Sequence, residues 1–258
     1  MVAAPGAGLE SGPEAAWPDG VGRLVLDETD STNAEAHRRA AGTPGPLWIA
    51  ARRQTAGRGR SGREWASPEG NLAATLLLRR DDPPAARARL SFHAALAVAD
   101  LVTALAPAAE VALKWPNDVL LGGAKVSGIL LESLGGRGAN LAIGIGVNLA
   151  HFPPPEATRW PATSIAAATG TAPAPEAALA ILAARMADWL ARDAQAGFAP
   201  IRDAWLARAA HLGRRIEARL PSGTLAGIFE DVTADGALVL ATGAGRRVIA
   251  AADIHFPD

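Results

Sequence analysis

Arginine and glycine alternate in the segment 52–70, RRQTAGRGRSGREWASPEG. Its first acidic residue is preceded by five guanidinium groups, those of Arg52, Arg53, Arg58, Arg60 and Arg63. Like charges at this density repel one another unless an anion lies among them, and the glycines prevent a helix and let the backbone approach a ligand closely. The segment therefore predicts a loop that wraps a polyanion and orders around it, with a solvated basic loop as the alternative.

Three glycines of this loop have the spacing GxGxxG, which also occurs in dinucleotide-binding folds. That motif needs a helix to begin at its third glycine, here Gly62, but Pro68 and Gly70 follow too soon for a helix. The sequence contains no GxxxxGK[ST] phosphate loop either. Dinucleotide binding of the Rossmann type is therefore not predicted.

The chain has only two lysines among its 25 basic residues, Lys114 and Lys125. Where nearly every other cation is arginine, two lysines indicate positions at which a compact ammonium group is needed. Lys114 opens the sequence KWPND, which ends in Asn117 and Asp118 and by itself is ordinary turn chemistry. Since Lys125 opens the next strand, KVSGILLE, we expect a hairpin that carries two ammonium groups and one carboxylate.

The strand period of two sorts the side chains of this second strand. It predicts that Lys125, Ser127 and Ile129 share one face and that Gly128 lies on the other face. A solvated strand edge is the ordinary alternative for a lysine at such a position.

A later strand segment, AIGIGVNL at 142–149, carries two glycines on one face. Gly144 and Gly146 remove side chains where something flat or bulky packs, although closely packed neighbouring strands would explain them equally well. Asn148 ends the strand and could hydrogen-bond a ligand. Near the N-terminus, Ser31, Thr32 and Asn33 form a helix N-cap whose polar groups could also bind a polar head group.

The elements that must position these residues follow from period, turn residues and prolines. Strands are predicted at 24–27, 47–53, 71–79, 111–114, 119–121, 125–132 and 141–148. Helices are predicted at 34–41, 85–106, 175–194 and 200–210. From residue 212 onward, short β segments separated by glycine turns predict a small barrel of SH3-like size.

The predicted fold class is α/β (α+β), with a central mixed β-sheet flanked by helices and followed by a small C-terminal SH3-like β-barrel. The predicted organisation is a disordered N-terminal tail at 1–20, a large domain at 21–210 that carries all the candidate site residues, and the C-terminal domain at 211–258.

Composition excludes several classes of protein. The 258 residues carry a net charge of −1, and 49% of them are hydrophobic, which argues against a basic nucleic-acid coat and against a disordered polyelectrolyte. Cysteine is absent, so disulfides, zinc–thiolate sites and thiol nucleophiles are excluded. The first twenty residues do not read as a secretory signal, and the apolar stretch 90–113 contains charged residues, so we expect a cytoplasmic protein without a membrane span.

Taken together, five motifs in order resemble those of the biotin protein ligase family, in the form that lacks an N-terminal DNA-binding domain. They are the STN segment at 31–33, the Gly/Arg loop at 57–70, the KWPND turn at 114–118, the KxxGIL-E strand at 125–132 and the G-x-N strand end at 146–148. The resemblance extends over nearly the whole chain, from about residue 24 to residue 256.

This resemblance implies an ATP-dependent ligase that works in two steps. The biotin carboxylate attacks the α-phosphorus of ATP to give biotinyl-5′-AMP and pyrophosphate. A lysine on the biotin carboxyl carrier domain of acetyl-CoA carboxylase, or of a related biotin enzyme, then displaces AMP. Biotin and ATP are the substrates, and Mg²⁺ is expected as a cofactor with unknown ligands.

The resemblance also implies residue roles. The catalytic residues are Lys125, Arg60, Lys114 and Asp118. The residues expected to bind biotin are Ser31, Thr32, Asn33, Gln54, Gly57, Arg58, Gly59, Arg60, Trp65, Lys125, Gly128 and Gly144. The residues expected to bind ATP are Arg58, Arg60, Arg63, Trp65, Lys114, Asn117, Asp118, Lys125, Ile129 and Asn148.

Within this set, Lys125 would lie between the carboxylate and the α-phosphate, where negative charge accumulates. Asn117 and Asp118 would either orient the nucleotide or assist the second step, and that choice stays open.

Three other functions compete with this interpretation. A lipoate ligase would share the fold and the adenylate chemistry, but the KWPND turn and the intact Gly/Arg loop argue against it. A nucleic-acid-binding module is disfavoured by the net charge and by the lack of interleaved Tyr and Phe. A relative that binds ligand without catalysis is discounted because Lys125 and the loop arginines are present. DNA binding is not predicted, since only about twenty residues precede the first strand, and a homodimer stays open.

Overall fold

The computed structural model describes residues 16–134 and 140–256. Most of the predicted tail, 1–20, therefore lies outside the described residues. The first described body is built on a seven-stranded sheet with the order β1-β2-β3-β7-β6-β5-β4. Its strands are β1 (Gly22–Thr29), β2 (Leu47–Gln54), β3 (Leu72–Arg79), β4 (Val111–Lys114), β5 (Asp118–Leu121), β6 (Ala124–Leu134) and β7 (Asn140–Val147).

The pairing of these strands makes the sheet mixed. β1 and β2 are parallel, whereas every other neighbouring pair is antiparallel. The predicted central mixed sheet is thus confirmed, and each predicted strand of this sheet is present with bounds that differ by a few residues.

Helices cover both faces of this sheet. Successive residues of its strands point to opposite faces, and apolar side chains occur on both. The helices are α1 (Thr32–Arg39), α2 (Pro84–Ala88), α3 (Leu90–Leu105), α4 (Ile165–Thr169), α5 (Pro175–Ala196) and α6 (Phe198–Leu206). α3 packs against α5, α6 and the sheet to form the larger core, which includes Trp48 and Leu76. The neighbouring residues Ile49 and Leu77 face the other side, where Ala36 of α1 covers them.

The predicted long helix at 85–106 is divided into α2 and α3. The segment Pro84–Leu105 is long and apolar enough to cross a membrane by length and composition alone, but 61% of its apolar 18-residue stretch is buried inside the fold. Its acidic residue Asp100 has partners there, since it accepts hydrogen bonds from Trp189 and Arg208 at 2.8 and 2.7 Å. These contacts explain the apolar stretch as a core helix.

Two helix predictions were wrong at their ends. α1 begins at Thr32 and not at residue 34, so Thr32 and Asn33 belong to its first turn. Ser31 is the N-cap residue, but its side chain makes no capping hydrogen bond. α6 ends at Leu206, before the predicted residue 210, because the next residues hydrogen-bond to Leu113 of β4. The short helix α4 was not predicted.

The C-terminal part of the chain forms a five-stranded antiparallel sheet with the order β11-β10-β9-β8-β12. Its strands are β8 (Arg215–Leu220), β9 (Gly223–Val232), β10 (Leu238–Thr242), β11 (Gly245–Ile249) and β12 (Asp253–His255). The small C-terminal β-domain is confirmed as a class, although β12 was not predicted. The two sheets lie on either side of the boundary proposed at 210/211, and the boundary itself stays a prediction.

The two sheets share one apolar core. Trp205 of α6 packs between Phe92 of α3 and Phe229 of β9, with ring centroids 5.1 and 6.4 Å apart. The indole of Trp115, in the KWPND turn, donates a 3.0 Å hydrogen bond to the carbonyl of Gly236 in the β9–β10 turn. The C-terminal domain therefore holds the turn that carries the predicted site residues.

Candidate active site

A cavity of about 1010 Å³ lies where the Gly/Arg loop, the KWPND turn, β6, β7 and the last strand β12 meet. Every residue that the sequence assigned to the site lines this cavity, with one exception, Gly57. The cavity is also lined by residues that sequence reasoning missed, among them Arg159, Trp160, Arg219, Asp253, Ile254 and His255.

The Gly/Arg loop is folded as a small hairpin by its own backbone. Gly59 donates a 2.7 Å hydrogen bond to the carbonyl of Arg63, and Trp65 donates one of 3.0 Å to that of Gly57. At the tip, Ser61 and Gly62 have φ values of +57° and +71°, the left-handed region that favours glycine. The conformation of the loop is thus defined by its own backbone.

Gly57 serves packing and does not line the cavity. A Cβ atom there would lie 2.5 Å from the carbonyl oxygen of Trp65 and 2.8 Å from the side-chain nitrogen of Gln54. Its predicted contact with biotin therefore lacks support from its position, which instead lets Gln54 and Trp65 approach the loop backbone.

The indole ring of Trp65 lies on the glycines of the sheet. A Cβ atom on Gly146 would lie within 3.0 Å of this ring, and one on Gly128 would lie 3.0 Å from it. The side chain of Asn33 covers Gly144 in the same way. The flat group that packs on Gly146 is thus the indole of Trp65. That Gly128 and Gly144 leave room for biotin stays a prediction.

The predicted ammonium–carboxylate pair of the hairpin is present. Lys125 Nζ lies 2.7 Å from Asp118 Oδ1 and 5.4 Å from the centre of the Trp65 ring. Arg60 reaches the same turn, with its Nη1 3.4 Å from Asn117 Oδ1. Asn117 is held in place because its amide nitrogen donates a 2.7 Å hydrogen bond to the carbonyl of Ile129.

The predicted face of Lys125 was wrong. Leu120 pairs with Lys125 but Val119 pairs with Ser127, so β6 has one extra residue, a β-bulge, at this point. The bulge reverses the alternation, and Lys125 Nζ lies 3.3 Å from the position of a Cβ on Gly128. Lys125 and Gly128 therefore share the cavity face, which a strict period of two does not allow.

Lys114 is enclosed by aromatic rings at the junction with the C-terminal domain. Its side chain is 8% exposed, and its Nζ lies 4.1 Å from the ring centre of Trp160 and 5.5 Å from that of Phe256. Burial lowers the pKa of Lys114; Lys125 lowers it further, while Asp118 acts in the opposite direction. An ammonium group in this position is poorly solvated and would gain from a bound anion.

An ion pair joins the Gly/Arg loop to the C-terminal sheet. Arg63 donates a hydrogen bond to Asp253 at the start of β12, and both side chains are about half exposed. Burial acts to raise the pKa of Asp253, but Arg63 outweighs it, so the pKa lies below that of a free carboxyl. This contact ties the loop to a part of the chain that is 190 residues away.

The electrostatics of the cavity favour anions. Seven basic side chains line it, against three acidic ones. Two of the three acidic groups, Asp118 and Asp253, are already paired with Lys125 and Arg63. The lining as a whole therefore carries an excess of positive charge, which favours anionic ligands.

The opposite end of the cavity is polar but carries fewer charges. Gln54 Oε1 accepts a 2.8 Å hydrogen bond from the backbone N–H of Thr32, and Gln54 Nε2 donates one of 2.8 Å to Ser67 Oγ. Ser31 also lines this end. The donors and acceptors are held by strands and by the first turn of α1, so they are suited to a neutral polar head group.

The sequence signals for the missed residues were of different strength. Ser67 does not line the cavity but holds Gln54, and it belongs to the Gly/Arg motif, from which it could have been named. Trp160 follows a proline-rich loop that shows no pattern, but the segment around it pairs with Lys125, whose N–H donates a 2.7 Å hydrogen bond to the carbonyl of Pro161. Asp253 depends on a contact between distant parts of the chain, which no local signal indicates.

A resident metal centre built from protein ligands is not found in residues 16–134 and 140–256, where no cluster of three His, Asp or Glu side chains could hold an ion. The acidic residues of the cavity are largely committed to cations, as described above. The donor set thus does not form a Mg²⁺ cage, although Mg²⁺ also binds proteins through substrate phosphates with one or two carboxylates.

Comparison with known proteins defines the class first. Residues 22–148 match the model of the biotin/lipoate A/B protein ligase family, and residues 211–256 match the biotin protein ligase C-terminal domain. The chain is 53% identical to a biotin–[acetyl-CoA-carboxylase] ligase of Paracoccus denitrificans over 238 residues, which are 90% of this chain and 99% of that one. It is 34% identical to a bifunctional ligase/repressor of Bacillus subtilis (strain 168), covering 90% of this chain and 73% of the relative.

Solved structures agree with the sequence relatives. A biotin protein ligase from Aquifex aeolicus, in complex with biotin and ATP, superposes with a TM-score of 0.77 at 26% identity and covers 91% of this chain and 97% of that one. The chain belongs to the biotin protein ligase family. The resemblance drawn from the five motifs is thereby confirmed, as is the predicted fold.

Proposed function

We propose that this chain activates biotin with ATP as biotinyl-5′-AMP and transfers the biotinyl group to a lysine of a biotin carboxyl carrier domain. Membership of the family and the 53% identical relative support this activity over that of a lipoate ligase. The observation that carries the proposal is the cavity, where a loop rich in arginine and a lysine-bearing hairpin face the same space next to a neutral polar end.

The first step joins two anions. A carboxylate oxygen of biotin forms a bond to the α-phosphorus, and the bond from that phosphorus to the bridging oxygen of pyrophosphate breaks. Repulsion between carboxylate and triphosphate opposes the approach, so fixed cations lower the barrier. We assign this compensation to Lys125 and Arg60, with Arg58 and Arg63 on the phosphates.

Binding of biotin is assigned to the polar end and the adjoining loop. Ser31, Thr32 and Gln54 would contact the ureido ring, which offers two N–H groups and one carbonyl. The carboxylate of biotin would then point toward Lys125. Asn33 would form part of the wall at this end of the cavity, where its side chain lies against Gly144.

Lys114 and the KWPND turn are assigned to the nucleotide side. The poorly solvated ammonium of Lys114 would contact a phosphate oxygen, and Asn117 would orient the nucleotide. For Asp118, the 2.7 Å contact with Lys125 supports a role in positioning that lysine. Ile129 and Asn148, which also line the cavity, would contact ATP.

The Gly/Arg loop would also protect the intermediate from water. Biotinyl-5′-AMP is a mixed anhydride that hydrolyses readily, so the site must exclude water until an amine arrives. Trp65 and the Arg63–Asp253 ion pair would keep the loop closed. In the second step, the amine of the acceptor lysine attacks the biotinyl carbonyl carbon, and AMP leaves with the carboxyl oxygen.

Further assignments rest on the same proposal. The acceptor would be the carrier domain of acetyl-CoA carboxylase or a related biotin enzyme. Mg²⁺ would arrive bound to the phosphates of ATP. A cytoplasmic location, a homodimer and the lack of DNA binding stay predictions.

Biotin-dependent exchange of labelled pyrophosphate into ATP tests the first step, and transfer of biotin to a purified carrier domain tests the second. We expect exchange with biotin and none with lipoate. Exchange with lipoate alone would favour the related ligase. Tight and strongly salt-dependent binding to nucleic acid, together with no exchange, would favour a nucleic-acid-binding module.

A further inference from the structure

A buried threonine connects two residues that line the polar end of the cavity. Thr75 of β3 is fully buried and does not itself line the cavity. Its Oγ1 lies 2.8 Å from Thr32 Oγ1 and 2.7 Å from Asn33 Oδ1. A threonine hydroxyl has only one proton to donate, so the direction of each of these hydrogen bonds can be worked out.

The amide of Asn33 fixes the first direction. Its Nδ2 lies 2.7 Å from a carboxylate oxygen of Glu132, which can only accept a hydrogen bond when ionised. The amide nitrogen of Asn33 therefore faces Glu132, and its oxygen faces Thr75. Since that oxygen can only accept, the proton of the Thr75 hydroxyl is directed to Asn33.

The second direction follows from the first. With its own proton directed to Asn33, Thr75 Oγ1 can only accept from the hydroxyl of Thr32, 2.8 Å away. The other oxygen near that hydroxyl, Gln54 Oε1, lies farther away at 3.1 Å. Donation to it would leave the two threonine hydroxyl oxygens 2.8 Å apart with no proton between them, which is unfavourable. The Thr32 proton thus points toward Thr75, and a lone pair of Thr32 Oγ1 is left for the cavity.

We infer that Thr75 is a positioning residue that determines specificity, because it fixes the hydroxyl of Thr32 as a hydrogen-bond acceptor toward the ligand. This inference rests on the proposed function and deepens it. An acceptor at this point selects a ring that presents an N–H group. The ureido ring of biotin has two such groups, whereas the dithiolane ring of lipoate has none.

The test measures discrimination between ligands and not affinity alone. Titration calorimetry compares biotin with its two cyclic carbamate analogues, in each of which one ureido N–H is replaced by a ring oxygen. Wild type should bind the analogue whose oxygen faces Thr32 about 100-fold more weakly or worse, because two acceptors then face each other.

Two variants of the same residue separate the role of the hydroxyl from that of packing. Thr75→Val keeps the branched shape but can neither donate nor accept, so the Thr32 hydroxyl becomes free to rotate and donate to the ring oxygen. We expect the affinity for biotin to fall about 2- to 10-fold and the discrimination to shrink to about 10-fold or less. Thr75→Ser keeps the hydroxyl and should restore wild-type discrimination.

Several results would overturn the inference. Equal binding of biotin and both analogues by wild type would do so without any variant, which covers the case that Thr75→Val fails to fold. Unchanged discrimination in a folded Thr75→Val protein, shown by its circular dichroism and its normal affinity for ATP, would also overturn it. If wild type binds no biotin at all, the proposed function fails first, and that result is distinct from the others.

Discussion

The contact between Trp65 and Gly146 predicts the effect of adding a single methyl group to the sheet. In Gly146→Ala, the new Cβ would lie within 3.0 Å of the indole, a distance that Cβ atoms in real proteins essentially never show. Gly146 belongs to the central strand β7 and cannot yield, because it pairs with β3 on one side and β6 on the other. The indole must therefore move, and the Gly/Arg loop must move with it.

The expected magnitude follows from the cost of overpacking. Forcing an extra carbon into a packed site costs about 1–3 kcal/mol. Since the loop can relieve the clash by opening, this free energy acts on the closed–open equilibrium of the loop and not on global unfolding. The population of the open loop should then rise roughly 5- to 150-fold, while the midpoint of thermal unfolding changes little.

Trypsin provides the assay, because the loop contains Arg58, Arg60 and Arg63. When reclosure is fast, the rate of cleavage follows the population of the open form, and mass spectrometry identifies the cut sites. The matched control is Gly59→Ala in the same loop, where φ is −106° and the nearest heavy atom to a new Cβ lies 3.7 Å away. The reasoning is refuted if Gly146→Ala is cleaved at the wild-type rate, or if Gly59→Ala is cleaved equally fast.

Three further predictions concern charged groups of the cavity. Lys125→Ala should lower the rate of biotinyl-5′-AMP formation at least about 100-fold with the fold intact; a near-normal rate in rapid-quench measurements would contradict its assigned role. Asp253→Asn should raise trypsin cleavage of the loop by no more than about 5-fold, because a half-exposed ion pair contributes at most about 1 kcal/mol. The folded state lowers the pKa of Asp253, so the stabilisation from its ion pair with Arg63 is fully present above the ordinary carboxyl pKa and is lost as the pH falls through the lowered pKa. An Asp253→Asn protein that trypsin cleaves no faster than wild type would argue against the contact. Because burial lowers the pKa of Lys114, its ammonium group loses its proton at a lower pH than an ordinary lysine does, and the KM for ATP should rise as this charge is lost. Lys114→Arg should remove this rise in KM, and an identical rise in the variant would exclude Lys114 as its source.

Much of the site could be predicted because most of its residues belong to a few short, contiguous sequence motifs. The Gly/Arg loop, the KWPND turn and the strand that begins at Lys125 each carry their own signal, and all three line one cavity. The mixed sheet followed from strand lengths and turn residues in the same way. Local signals suffice where neighbours in sequence are also neighbours in space.

The parts that could not be predicted depend on contacts between distant segments. Nothing in the pattern around Gly146 indicates that its partner is Trp65, although glycine on a buried strand did indicate a missing side chain. A strict period of two placed Lys125 and Gly128 on opposite faces of β6, and the β-bulge beside Lys125 brings them to the same face. The Arg63–Asp253 ion pair and the aromatic enclosure of Lys114 arise only when the C-terminal sheet docks.

The central claim is that Lys125 and the arginines of the loop act together on a carboxylate and a nucleotide held side by side. A crystal structure of the chain with biotin and a non-hydrolysable ATP analogue tests it most directly. The account predicts both ligands in the one cavity, with Lys125 Nζ in hydrogen-bonding contact with the biotin carboxylate and an α-phosphate oxygen. Either ligand bound elsewhere, or Lys125 in contact with neither of them, would contradict it.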